Sequence, residues 1–325
     1  MFEEIKEQNK AKETLLDHIN NNKINHCYIF FGKDGTGRLP TALKFAQSLV
    51  CENNNACDEC TNCKQFEKRS VADFMLVDVP EGKKEIPVDA VREIISEINI
   101  KPYIFRKKIV IINNADKMNT NAQNAILKAL EEPPSYVVFI LIVSNMLALL
   151  PTIISRGNVI NFSGLSDKAI KDILKEKYEV DIPASLLSLC SGSAKTAYEI
   201  TADEKYKEIR KEILSSFYRF VTSPTEKNQL MLYSVITKYE NEKDFFINIM
   251  YTVITDMLVA DNKDILKNKD FDYDTQKTIS KKKAYAVLNI ISQMQLRLNT
   301  NVSFSLCVFS SLDEMRRILN ERTIS

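Results

Sequence analysis

The chain has 325 residues, 45% hydrophobic and 27% charged, and 44 Lys+Arg against 43 Asp+Glu leave a formal net charge of +1. That length holds two or three domains with ample core, and the near-zero balance excludes a global field of the kind that announces a nucleic-acid or membrane-surface binder. The opening Met1-Phe2-Glu3-Glu4-Ile5-Lys6 lacks an apolar h-region and the longest apolar run, 137–143, is too short to span a bilayer, so a cytoplasmic chain without a membrane partner is expected.

In chain order, Ala11, Leu15, Leu16 and Ile19 recur at helical spacing and predict a helix over 9–20. Tyr28-Ile29-Phe30-Phe31 is a short apolar strand. The glycine-rich Gly32-Lys33-Asp34-Gly35-Thr36-Gly37-Arg38-Leu39 follows, and then a helix through Ala42-Leu43-Lys44-Phe45-Ala46. Strand, glycine turn and helix in that order are the context of a phosphate-binding loop. The glycines let backbone N–H groups face a phosphate, and the helix N-terminus adds partial positive charge. Gly32, Gly35 and Gly37 fit G-x-x-G-x-G-K-[ST], but Arg38 stands where lysine should reach the terminal phosphates, and Leu39 where a hydroxyl should hold magnesium. ATP chemistry is therefore not expected at this loop.

Cys51, Cys57, Cys60 and Cys63 come next, as C-x5-C-x2-C-x2-C. Four soft ligands at this spacing predict a closed structural zinc site, one ion per chain. Free buried thiols would need an apolar surround, which Asn53-Asn54-Asn55 and Asp58-Glu59 do not offer; an iron–sulfur cluster is the minority reading, since nothing suggests redox chemistry. Cys27, Cys190 and Cys307 stand alone and are assigned to packing.

A strand is predicted over 74–79, then a turn at 81–84 and a helix from Pro87 bearing Val88, Val91, Ile94, Ile95 and Ile98. Lys108-Ile109-Val110-Ile111-Ile112 is apolar along its length, as a strand covered on both faces must be. It ends in Asn113-Asn114-Ala115-Asp116. An ATPase of this architecture needs an acid there for magnesium and a second to polarise the attacking water; amides do neither well. A plain polar turn after a strand explains the tetrapeptide equally well. Asn119 can cap a helix over 121–131 that Pro133-Pro134 stops, 137–143 is a fourth strand and 159–162 a short fifth. Strands alternating with helices predict a doubly wound parallel five-stranded sheet, with ligands at the carboxyl ends of its strands. Arg156, on a loop before the fifth strand, reads either as a solvated charge or as an arginine finger presented to a nucleotide in a neighbouring subunit.

From Ser166 the pattern is helical throughout, broken by Pro183 and Gly192. Three domains are expected: an α/β module over 1–162 with the cysteine insertion at 51–63, a small helical domain over 163–203, and an all-α bundle over 204–325; the family resemblance given below makes the last two a lid and a collar. The basic runs Arg106-Lys107-Lys108 and Lys281-Lys282-Lys283 read as solvated faces without aromatic interleaving for stacked bases.

Five stretches together resemble the delta-prime subunits of bacterial DNA polymerase III, of the AAA+ clamp-loader family. They are His26-Cys27-Tyr28-Ile29-Phe30 with its glycine loop, the cysteine cluster, Val88-Asp89-Ala90-Val91-Arg92-Glu93-Ile94, Asn124-Ala125-Ile126-Leu127-Lys128-Ala129-Leu130-Glu131-Glu132-Pro133-Pro134, and Leu150-Pro151-Thr152-Ile153-Ile154-Ser155-Arg156. The resemblance covers about residues 2–200; beyond that only helical character matches. It implies a stationary, non-hydrolysing subunit of a machine that loads a sliding clamp onto primed DNA, assembled with gamma/tau and delta subunits. It makes Arg156 the finger, in a Ser-Arg-Cys loop whose cysteine is Gly157 here. It also places Ser144-Asn145 and Lys195 where sensor residues sit, although surface or capping roles suit them as well. Two rival readings stand beside it: an active ATPase of gamma/tau type, opposed by Arg38, Leu39, Asn113 and Asn114, and a zinc-stapled adaptor unrelated to replication.

Overall fold

The computed structural model describes residues 1–69, 71–260, 262, 265–274, 279–298 and 302–321. The expected collar, 204–325, thus includes positions outside the described residues. The chain divides into two compact units, 1–169 and 170–325.

In the first unit the strands are β1 (Cys27–Phe31), β2 (Phe74–Val77), β3 (Lys108–Ile112), β4 (Val137–Val143) and β5 (Asn158–Asn161). They form one parallel sheet in the order β2-β3-β4-β1-β5. Its helices are α1 (Asn9–Asn20), α2 (Arg38–Val50), α3 (Thr61–Glu67), α4 (Val88–Ile98), α5 (Thr120–Glu131) and α6 (Pro151–Ile154).

The two-residue alternation of a strand explains the layering. Tyr28, Phe30, Ile109, Ile111, Ile140 and Ile142 face α1 and α2 in one core, against Leu15, Ala42, Phe45 and Ala46. Their neighbours Ile29, Val110, Ile112, Phe139 and Leu141 face the other way, into a core with Val91 and Ile94 of α4 and Ile126 and Leu130 of α5. All seven residues of β4 are buried for this reason. Full burial of one such side chain contributes about 1.5–3 kcal/mol, so two cores fix the register firmly: Cys27 pairs with Phe139 and Phe31 with Val143.

The expected strands are present, with β2 ending two residues early and β5 shifted one residue toward the N-terminus. Asn119 caps α5 as expected, its side chain accepting from Ala122 N at 2.9 Å. Helix α3 inside the cysteine stretch carries no apolar period and was not foreseen. The solvated-face reading fails at Lys108, which opens the interior strand β3 and is buried, its ammonium donating to Glu97 O at 2.8 Å.

The second unit contains α7 (Asp167–Tyr178, beginning in the first), α8 (Ala184–Leu187), α9 (Ala194–Ala202), α10 (Lys205–Thr222), α11 (Glu226–Lys238), α12 (Lys243–Leu258), α13 (Lys281–Leu298) and α14 (Phe304–Asn320), with no strand among the described residues. The five long helices pack as α11 on α10 and α14, and α12 on α10 and α13, with α13 against α14. Phe217, Phe220, Phe246, Val253, Val287 and Val308 lie in their core. Buried Asp256 ties down the segment after α12 by accepting from the backbone N–H groups of Lys267 and Asn268, both at 2.8 Å, and from the Tyr273 hydroxyl at 3.1 Å.

Candidate functional site

Parallel order brings the ends of β1, β3 and β4 to one edge of the sheet, with β4 between the other two. The loop after β1 keeps its expected geometry. Gly35 and Gly37 have φ of 74° and 93°, the left-handed region that glycine enters without strain. Gly32 leaves no room for a side chain, since a Cβ there would lie 2.5 Å from Phe162 O.

The side chains at the start of α2 are engaged within the fold. Arg38 is 4% exposed, reaches Asp34 at 3.4 Å through Nη2 and leaves Nη1 buried without a partner among the described residues. Burial pushes its guanidinium down from the usual range, opposed by Asp34 and Asp116. Leu39 packs against the core beneath α2.

After β3, Asn113 Nδ2 donates to one oxygen of Asp78 and Asn114 Nδ2 to the other, both at 2.7 Å. Only an NH₂ can donate to a carboxylate, so Asp78 fixes both amide orientations. Asp78 follows β2 and was not singled out from the sequence; an acid at the end of an apolar strand was the one signal available. Asp116 accepts from Asn145 N at 3.1 Å, and its second oxygen is buried without a partner among the described residues. Asn145 also accepts from Leu147 N at 3.1 Å, so its side chain caps the turn after β4, while Ser144 is exposed. Lys195 lies exposed on α9, in the second unit.

Arg156 follows α6. Its Nη1 donates to Thr152 O at 2.8 Å and its Nη2 to Glu131 Oε1 at 2.7 Å; the arginine is 31% exposed and the glutamate 47%. Its neighbour Gly157 sits where a Cβ would meet the Ile29 side chain at 2.5 Å, so the cysteine of the family pattern has no space here without repacking.

The cysteines at 51, 57, 60 and 63 come together, their sulfurs all within 4.8 Å of one another. Cys51 ends α2, Cys60 caps α3 and Cys63 lies in its first turn. A tetrahedral zinc with Zn–S bonds near 2.3 Å needs sulfurs about 3.8 Å apart. The observed Cys51–Cys57 and Cys51–Cys60 separations are 3.6 and 4.0 Å, so the set fits a tetrahedral ion. Backbone N–H groups of Cys60 and Cys63 point at the sulfurs of Cys57 and Cys60, both at 3.4 Å, an arrangement that favours thiolates. Asp58 anchors the insertion to α2, taking Lys44 at 2.8 Å and Gln47 at 2.8 Å. Burial pushes the Cys63 thiol up. At Cys51 burial pushes the same way but is outweighed by hydrogen bonds around Cys57 and Asn55, which bring it down to about 6. Cys27, Cys190 and Cys307 are each buried.

Sheet order and loop placement define an α/β module of AAA+ type. The profile of the DNA polymerase III delta subunit family matches residues 7–166. The DNA polymerase III subunit delta' of Bacillus subtilis strain 168 is 34% identical over 214 residues, covering 65% of this chain and 64% of that protein. The tau subunit of the same organism is 32% identical over 172 residues, 52% of this chain and 30% of that protein. A DNA polymerase III gamma subunit-related protein of Thermotoga maritima aligns over 94% of this chain and 99% of its own at 18% identity, with a TM-score of 0.45. The chain thus spans just under two thirds of the delta' relative and under a third of tau. Its α/β module belongs to the DNA polymerase III clamp-loader family.

Proposed function

We propose that this chain is the delta-prime-type, non-hydrolysing subunit of a DNA polymerase III clamp loader. In that role it works with gamma/tau and delta subunits to place a sliding clamp on primer-template DNA. The observation that carries the reading is the engagement of Asn113 and Asn114 by Asp78. Two neutral amides hold the places of the magnesium acid and the catalytic acid, and both are already committed within the fold. Packed Leu39 and buried Arg38 add support from the opposite loop.

The chemistry assigned to this chain is electrostatic and acts in trans. Arg156 offers its guanidinium to the ATP of an adjacent gamma/tau subunit, where it stabilises charge developing on the transferred phosphoryl group. Its remaining N–H donors are suited to phosphate oxygens. Cys51, Cys57, Cys60 and Cys63 would hold one zinc ion, which supplies a cross-link between the end of α2 and α3 and leaves no open position for catalysis. The short helices α7–α9 ahead of the long α10–α14 support a lid over 163–203 and a collar over 204–325.

Arg156→Ala should leave folding and assembly intact and lower ATP turnover by the reconstituted loader by at least about tenfold. Unchanged turnover would remove the finger from the reading. The similarity to tau favours a second reading, an ATPase in its own right, which requires ATP hydrolysis by the isolated chain.

A further inference from the structure

Arg156 is held from two directions. Nη1 is bonded to the carbonyl of its own turn, at Thr152, and Nη2 to Glu131, which lies 25 residues earlier at the end of α5. Glu131 stands in an unfavourable place for an acid, because the exposed carbonyls of a helix C-terminus repel a carboxylate. An acid kept there needs a reason, and a pair exposed as this one is adds little to stability.

The two arms that carry the pair are themselves keyed together. Gln123, on α5 and 4% exposed, donates to Met118 O at 3.0 Å and Ala148 O at 2.9 Å and accepts from Leu150 N at 2.7 Å. The segment leading to Arg156 is therefore locked to α5 at its base by Gln123 and at its tip by Glu131. Among the described residues two of the five guanidinium donors are used, which leaves three for an incoming ligand.

We propose that Glu131 is the positioning residue of Arg156. It selects one pose from the many available to a long side chain and holds the guanidinium where a neighbouring subunit's phosphate meets it. This inference rests on the finger reading given above.

The test is steady-state ATP hydrolysis by the loader reconstituted with gamma/tau- and delta-type subunits. Glu131→Ala should lower kcat by about tenfold with KM for ATP little changed. Glu131→Gln, which keeps an acceptor oxygen, should recover turnover to within about threefold of the parent. In an Arg156→Ala background, Glu131→Ala should have no further effect, because it acts only through the arginine. The isolated chain gives a second readout: nitrogen NMR should show slowed rotation of the Arg156 guanidinium in the parent and free rotation in Glu131→Ala. Turnover unchanged or raised in Glu131→Ala, with Arg156→Ala impaired, overturns the positioning role alone. Freely rotating Arg156 in the parent overturns it without reference to ATP. Unimpaired Arg156→Ala overturns the finger, and the positioning role falls with it.

Discussion

Cys27 opens β1 with no exposed surface, and burial pushes its thiol up from the usual 9.0 to about 12. A group whose folded value is raised stabilises the fold below its unfolded value and withdraws that support as pH climbs toward the folded one. Between pH 9 and about 12 the unfolded chain ionises while the folded chain cannot, which costs roughly 1 kcal/mol per pH unit. Urea midpoints of the parent should therefore fall faster than those of Cys27→Ala from pH 8 to 11, although the variant starts lower because of its cavity. Parallel curves would mean that another group carries the alkaline loss. The packing assigned to Cys27 was legible in the sequence, because a lone cysteine inside an apolar strand has few other uses. The partners Asp78 and Glu131 were not, since they meet Asn113, Asn114 and Arg156 across 25 to 36 residues of chain and no local period encodes such meetings.

Among the elements, β1, β3 and β4 could be read in advance because both their faces are buried, and unbroken apolar runs such as 137–143 have few alternatives, whereas β2 and β5, half-buried at the two sheet edges, are where the expected bounds slip. Helix α3 could not. Its 7 residues are too few to hold a helix in water, so its existence depends on neighbours. Those neighbours are Val50 O accepting from Asn62 at 2.9 Å, the ring of Phe74 at 4.6 Å from that of Phe66, and the cysteine cluster. Chelator-free preparations should contain about one zinc per chain. Cys60→Ser should lose the metal and the amide-exchange protection of 61–67 while leaving β1, β3 and β4 protected. Metal-free parent protein with a fully protected α3 would show that packing alone suffices.

At the scale of the whole molecule, ATP separates the two functional readings. Titrated into the isolated chain with magnesium, ATP should give neither saturable binding nor release of phosphate, and the chain should be retained by immobilised gamma/tau and delta subunits. Turnover by the chain alone would favour the tau-like reading. The α/β half of this picture was open to sequence reasoning because its chemistry sits in short contiguous motifs at strand ends. The helical half offered only periodicity, which announces helices but not the polar fastening by Asp256 of Lys267, Asn268 and Tyr273, up to 17 residues away.

Asp78 has one more consequence, which concerns the routes open to this sequence rather than its present state. Changing Asn113 or Asn114 singly to an acid would replace a donor 2.7 Å from a carboxylate oxygen with a second carboxylate. Like charges at that distance cannot both stay ionised. Each single change to an acid there would therefore break the contact between the ends of β2 and β3. On the non-hydrolysing reading proposed above, the arrangement works as a ratchet: a carboxylate at either position is opposed by Asp78 until Asp78 itself changes.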